Sequence, residues 1–322
     1  MERERRTDRP PARAHPAPDR AESDLPAFAP PAKDRPLAGA ALMTLAALMF
    51  SAMNGLVRLA ADLGFPPLQI AFLRSLFALL VMAPIIAPVV LREGPAWLKT
   101  TRPGLFLVRG LAAAVGVIGW MSALATLPLA EATAITFTAP LIATAGSALI
   151  LGETVRLRRW SAILIGFIGV LVILRPGMAA VEVGALWALT AAAGMASAAL
   201  LVKTLTRTEP AQRIVLYTSL MLTALTAVPA ALVWVPMTPA MWAIGAGIGA
   251  IGALSQIALT KAFESADASV VLPFDYARLP FTALIGWVFF AQVSDLVTWA
   301  GALLIAGAAL YVARREHQAA RR

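Results

Sequence analysis

Residues 127–173 read LPLAEATAITFTAPLIATAGSALILGETVRLRRWSAILIGFIGVLVI, and residues 261–312 read KAFESADASVVLPFDYARLPFTALIGWVFFAQVSDLVTWAGALLIAGAALYV. Each stretch is a pair of apolar runs joined by a short polar step, and the two stretches answer one another. Ala130-Glu131-Ala132 matches Ala266-Asp267-Ala268, Gly152-Glu153 matches Ala291-Gln292, and Trp160 matches Trp299, with a few residues of insertion between them. Self-similarity at this distance marks two copies of one structural unit. Working outward, further apolar runs flank each copy, and about 20 such residues suffice to cross a bilayer as a helix. The sequence predicts spans over 37–59, 67–90, 104–124, 130–151, 160–174, 183–203, 214–235, 241–263, 268–290 and 296–313, the fifth being the shortest. Five spans per half is an odd number, so the second half enters the membrane from the opposite side. The expected fold is therefore an all-α integral membrane protein, ten transmembrane helices in two inverted five-helix repeats, an arrangement suited to alternating access.

Composition agrees with that reading. The chain of 322 residues is 59% hydrophobic and 14% charged, too apolar for a water-soluble domain. Residues 1–36 form a separate regime of Arg, Asp, Glu and Pro that cannot bury enough surface to offset the entropy of ordering, so a disordered tail is expected there. Its prolines and acids are also wrong for a signal peptide. The domain plan is a cytoplasmic tail over 1–36, a first repeat over 37–174, a linker over 175–182, a second repeat over 183–313, and a basic cytoplasmic tail over 314–322.

Orientation follows from Lys and Arg, which are retained on the cytoplasmic side. With the N-terminus inside, the cytoplasmic joints contain Arg92, Lys99 and Arg102, then Arg156, Arg158 and Arg159, then Lys203, Arg207 and Arg213, then Lys261, and last Arg314, Arg315, Arg321 and Arg322. The opposite joints offer little beyond Arg175. Both termini are expected in the cytoplasm and the chain in the inner membrane as a multi-pass protein. A net charge of +9 placed this way is a topology signal, and nucleic acid is not an expected partner.

Several chemistries are excluded. There is no cysteine, and the two histidines, His15 and His317, lie in the polar tails. Disulfides, thiolate nucleophiles and intramembrane imidazole chemistry go with them. Two-aspartate proteolysis lacks its second deep aspartate, since Asp275 stands alone. No enzyme activity, cofactor or metal is expected. Gly247, Gly249 and Gly252 spell GxGxxG, yet no strand precedes them and the run GAGIGAIG lies in an apolar span, where small residues allow close helix packing. No Walker A sequence occurs, so transport would run on a gradient or on exchange.

Taken together, PLAEATAITFTAPL followed by LGE and RRW, and ASVVLPFDYARLPF followed by W and G, resemble the drug/metabolite transporter superfamily, EamA-type, over roughly residues 37–313. FLRSLFAL, RGLAA and PLAEATAI look most like its bacterial riboflavin-uptake and S-adenosylmethionine-uptake groups, and less like amino-acid exporters. The resemblance implies a ten-helix bundle, cytoplasmic termini, and a central cavity lined largely by spans one, three, four, six, eight and nine. Gln292 departs from the pattern where the repeat would place an acid like Glu153.

Candidate site residues come from breaks and buried polarity. Pro140 interrupts the fourth span, and Pro273 with Pro280 interrupts the ninth. Broken membrane helices free backbone groups for a substrate, although each proline alone reads equally well as a tolerated kink. Ionisable groups in a bilayer are costly, which singles out Arg74, Arg109, Asp275 and Arg278. Asp275 and Arg278 are three apart on one helix and either neutralise one another or face substrate. Arg74 and Arg109 either meet substrate or reach backbone carbonyls and the interface. Three arginines against one deep carboxylate favour an anionic group on the substrate. Asn54, Trp120, Thr136, Phe137, Gln256, Phe274 and Tyr276 supply polar and aromatic wall candidates, the rings suited to stack on a flat ligand or else to pack. The expected function is secondary transport of a small organic metabolite across the bacterial inner membrane, foremost uptake of riboflavin or a similar flat-ring compound. Export of amino acids or related metabolites, or uptake of S-adenosylmethionine, is the alternative, and an integral membrane enzyme a distant one. The expected partners are a small-molecule substrate and the lipid bilayer, with a homodimer left open.

Overall fold

The computed structural model describes residues 35–150, 157–174, 183–205, 208–266 and 268–320. Nearly all of the expected N-terminal tail, the Gly152-Glu153 joint and the 175–182 linker lie outside the described residues, and all contacts below fall within Lys33–Arg322. Among the described residues all regular structure is helical: α1 Pro36–Asp62, α2 Pro67–Glu93, α3 Pro103–Thr126, α4 Leu129–Thr136, α5 Ala139–Ile150, α6 Leu157–Leu174, α7 Val183–Leu205, α8 Ala211–Leu232, α9 Pro239–Ser265, α10 Ala268–Asp275, α11 Arg278–Phe290 and α12 Leu296–Ala320, with one 3-10 turn at Pro95–Leu98. Proline opens α1, α2, α3 and α9, where its missing N–H is one that a helix start leaves unpaired anyway. Gly64 (φ 88°) and Gly94 (φ 75°) turn the chain out of α1 and α2 in the left-handed region that a side chain would resist.

Seven helical stretches are long and apolar enough to cross a bilayer: Pro36–Asp62, Pro67–Pro84, Pro103–Thr126, Leu129–Leu149, Val183–Val202, Arg213–Leu232 and Pro239–Ser265. Trp160–Leu174 and Leu296–Tyr311 are shorter apolar helices. Each of the ten expected stretches thus carries helix, with the fourth and ninth each split in two. The splits have one cause. The ring of Pro140 collides with the carbonyl four residues back, Thr136, and α4 ends there; Pro280 stands in the same relation to Tyr276, and α10 ends one residue earlier at Asp275. Pro273 was expected to share in the second break, but it lies inside α10. The last helix also runs on to Ala320, past the 313 expected for it.

Packing repeats the two-fold relation seen in the sequence. If α1 to α6 are overlaid on α7 to α12, taking α4 with α5 and α10 with α11, the pairs interchange: α1 packs on α9 and α3 on α7; α2 on α9 and α8 on α3; α1 on α10 and α11, and α7 on α4 and α5. The pairs α6 with α12, α2 with α8 and α4 with α11 map onto themselves. Glycine sets the closest crossings. A β-carbon on Gly194 of α7 would stand 2.5 Å from the Gly116 Cα of α3, and one on Gly301 of α12 would stand 2.7 Å from the Gly169 carbonyl oxygen of α6. In the GAGIGAIG run, a β-carbon on Gly249 would collide with Phe77 Cβ, and one on Gly252 would lie 2.9 Å from Met53 Sδ. Those glycines seat α9 against α2 and α1, the packing role small residues play between membrane helices. Leu164, Trp287, Phe289 and Leu303 stay exposed on the outside, as lipid-facing side chains do.

Candidate functional site

A cavity of about 630 Å³ lies between the two sets of helices. Its wall takes Phe50, Met53 and Asn54 from α1, Arg74 and Met82 from α2, Arg109, Gly116 and Trp120 from α3, Met195 and Val202 from α7, Thr218 and Ser219 from α8, and Gln256 from α9. The two helix breaks supply Thr136, Phe137 and Pro140 on one side and Asp275 and Arg278 on the other. α2 and α8, the second and seventh spans, add to the spans expected to form most of the lining. Met82, Arg109, Val202, Thr218, Gln256 and Leu259 all sit on the helix halves nearer the Arg92–Lys99–Arg102 end, so the cavity extends that way. The opposite end is shut by close-packed Phe65, Leu124, Leu127 and Leu129, each at most 4% exposed.

Of the wall and site candidates, Asn54, Arg74, Arg109, Trp120, Thr136, Phe137, Pro140, Gln256, Asp275 and Arg278 stand on this wall. Phe274, 42% exposed, does not, and neither does Tyr276. The Tyr276 ring lies behind Phe137 at a centroid distance of 4.8 Å and packs towards the small cluster of Leu141, Ile163 and Ala309. Phe137 therefore presents the aromatic face at this place, and Tyr276 buttresses it.

Arg278 and Asp275 bracket the second break. Arg278 Nη2 donates to Asp275 Oδ1 at 2.6 Å, and the guanidinium rests over the rings of Phe50 (4.5 Å) and Phe137 (5.9 Å). The start of α11 is pinned to α1 by Thr282 Oγ1, which donates to Ser51 Oγ at 2.9 Å, while Ser51 Oγ lies 3.2 Å from the Arg278 carbonyl oxygen. Asp275 thus spends its charge on its own neighbour. Arg74 and Arg109 meet no acceptor among the described residues, and the Nε of each is shielded and unmatched. Asn54 is 1% exposed with both Nδ2 and Oδ1 unpartnered. Such groups are rare in a folded interior unless something else completes them.

Two polar clusters lie beyond the wall. At the shut end, Gln292 Oε1 accepts the Leu129 N–H at 2.9 Å, satisfying one donor that the start of α4 leaves open. Arg58 Nη1 donates to the Leu127 carbonyl at 3.2 Å nearby. The amide at 292, read in the sequence as a departure, is thus a cap that a carboxylate is not needed to form. At the basic end, Thr100 Oγ1 donates to Glu209 Oε1 at 2.5 Å and Arg213 Nη1 to Glu209 Oε2 at 2.6 Å, with the guanidinium 5.3 Å from the Trp97 ring centre. Burial pushes the Glu209 carboxyl up, but the Thr100 and Arg213 hydrogen bonds and the Arg213 charge outweigh it and hold the group below its ordinary value. This cluster ties the joint between α2 and α3 to the start of α8.

A two-fold bundle of helices around a central cavity, with matched breaks in its fourth and ninth stretches, is the architecture of a membrane carrier. The model of the EamA-like transporter family matches the chain twice, over residues 37–175 and 182–314, and the chain belongs to that family. Among its relatives, the riboflavin transporter of Vibrio cholerae is 34% identical over 293 residues, covering 90% of this chain and 97% of the relative. The pseudopaline exporter of Pseudomonas aeruginosa is 31% identical over 86% of this chain and 96% of its own length. The S-adenosylmethionine uptake transporter of Rickettsia bellii is 29% identical over 78% of this chain and 85% of its own.

Proposed function

We propose that this chain is a carrier for riboflavin or a closely similar flat-ring metabolite, taking it up across the inner membrane by alternating access. The observation that carries this reading is the 34% identity to the Vibrio cholerae riboflavin transporter across nine-tenths of the chain. The wall is in keeping with it. Phe50, Trp120 and Phe137 give the wall an aromatic character suited to an isoalloxazine ring, and Thr136 and Gln256 offer hydrogen bonds for its amide edge and ribityl hydroxyls. About 630 Å³ lies inside the roughly 300–1,000 Å³ range of small-molecule sites. With the basic joints and both termini in the cytoplasm, the described state is the inward-facing one.

The test is growth. Expressed in a bacterium unable to make riboflavin, the chain should restore growth at limiting external riboflavin, and cells should accumulate labelled riboflavin. Failure of both, with the protein present in the membrane, would overturn the flavin reading. Export is a second reading, favoured by the Pseudomonas aeruginosa relative at 31% identity; efflux from preloaded cells without uptake would select it.

A further inference from the structure

The start of α4 has no cap of its own. Its N-cap residue is Pro128, which carries no side-chain oxygen, and the open N–H of Leu129 is met from the other half of the chain, by Gln292 Oε1 at 2.9 Å. The turn that brings Gln292 there is a costly one. Ala291, just past the end of α11, is the one residue other than glycine with positive φ among the described residues (52°), a left-handed conformation that a side chain disfavours. It lets the N–H groups of Ala291 and Gln292 both donate to the Gly286 carbonyl. Gly286 also leaves the space that the Gln292 side chain folds into, since a β-carbon there would stand 3.0 Å from Gln292 Oε1. The bond stands among the leucines that shut this end: Leu129 is fully buried and Leu127 is 2% exposed, with the Leu127 carbonyl held by Arg58 Nη1 at 3.2 Å. α4 belongs to the first half and α11 to the second, and the two pack on one another. A passage out through this end parts the halves where they meet, and the bond breaks with it.

We infer that Gln292 is a positioning residue for transport, a latch that holds this end shut by capping α4 from the opposite half and lets go when the end opens. The strained turn at Ala291 and the glycine at 286 exist to aim one amide oxygen at one backbone N–H of the other half. Gln292 touches no cargo, since it does not stand on the cavity wall. The inference rests on the alternating-access part of the proposed function and not on the flavin.

The chain has no cysteine, so cysteine pairs can be introduced for nitroxide labels without further change. Thr126→Cys with Val293→Cys spans the halves at the shut end, and Leu149→Cys with Glu264→Cys spans them at the other; all four positions are exposed. Pulsed electron paramagnetic resonance on the full-length protein in lipid nanodiscs, with no substrate added, reads both distances in the parent and in three variants. Gln292→Ala removes the acceptor, Gly286→Ala crowds it off its partner with a β-carbon, and Gln292→Glu keeps an acceptor in the same place. A hydrogen bond of ordinary strength moves a two-state ratio about twofold to twelvefold. Gln292→Ala and Gly286→Ala should raise the long-distance share at the shut end by such a factor and the short-distance share at the other end with it, while Gln292→Glu matches the parent. Distances in the first two variants that stay as in the parent would overturn the latch. So would a lengthening at the shut end that the other end does not answer, or that Gln292→Glu shares, because that is local loosening. Riboflavin uptake is read separately: its failure leaves the distances to decide the latch, and unchanged distances in a chain that takes up riboflavin strike the latch alone.

Discussion

Replacing Asp275 by Asn takes one charge from the pair that bridges α10 and α11. The two side chains are 20% and 22% exposed, and the bond is 2.6 Å long. A solvated surface pair contributes about 0–1 kcal/mol, while breaking a fully buried one costs about 3–5 kcal/mol. One-fifth exposure places Asp275→Asn between these limits, at about 2 kcal/mol. The loss is moderated because Arg278 keeps the Phe50 ring at 4.5 Å, a contact of about 0.5–2 kcal/mol. Arg278→Gln should cost more, since it abandons Asp275 and also loses that ring. The double variant should be more stable than the sum of the two losses predicts, by a coupling of about 1–2 kcal/mol. Equilibrium unfolding of the four proteins in mixed micelles reads this directly. A coupling below about 0.3 kcal/mol would show that the pair is not an energetic unit and that Asp275 is available to the substrate.

Gly194→Leu should abolish the folded carrier on fluorescence-detected gel filtration, because the first added carbon meets the Gly116 backbone at 2.5 Å and nothing there can rotate away; Gly307→Ala, which points into open space, should be silent. Glu209→Gln should lower stability by about 2 kcal/mol at neutral pH through weakened bonds to Arg213 and Thr100. Since the folded Glu209 carboxyl lies below its ordinary 4.5, its contribution is complete above that pH and is lost as pH falls through the folded value, so parent and variant melting temperatures should converge below pH 4.5. A gap that is constant with pH would refute the ionised pair. Trp120→Ala should weaken riboflavin binding about twofold to twelvefold by removing a stacking face worth about 0.5–1.5 kcal/mol, whereas Tyr276→Phe, behind the wall, should change it less; the reverse order in binding titrations would refute the assignment of faces.

Much of this architecture was legible because lipid leaves few choices. A backbone in hydrocarbon must pair its own polar groups, so each apolar run could be read as helix. Proline at 140, and the pair at 273 and 280, then pointed to which two of them break, although only 280 of that pair stands at the break itself. Arg74, Arg109, Asp275 and Arg278 stand out in the sequence because a charge within an apolar span is costly, but whether Arg74 and Arg109 turn to the cavity or to the interface is not written there. What stayed hidden depends on rotation about helix axes and on tertiary partners. Phe137 and Tyr276 follow similar breaks, yet one faces the cavity and the other packs behind it, a difference that no local pattern carries. Thr218 of α8 bonds back to the Ile214 carbonyl at 2.6 Å, as hydroxyls do in any membrane helix, so nothing in its local pattern marks it as a wall residue. Gln292 acquires meaning only when the end of α11 is seen beside the start of α4.

The symmetry of the packing bears on how a cargo could be passed on. Polar and charged wall groups come from both halves: Asn54, Arg74 and Arg109 from the first, Gln256, Asp275 and Arg278 from the second. The crossings of α6 with α12 and of α2 with α8 map onto themselves, so exchanging the roles of the halves leaves them in place. The contacts of α1 with α10 and α11 and of α7 with α4 and α5 are instead related as mirror roles, and one set can loosen as the other tightens. Under the transport reading, that exchange opens the end now shut by Leu124, Leu127 and Leu129 while the self-paired helices hold the frame. A ligand in the cavity meets wall groups of both halves, so its binding energy can bear on the exchange itself.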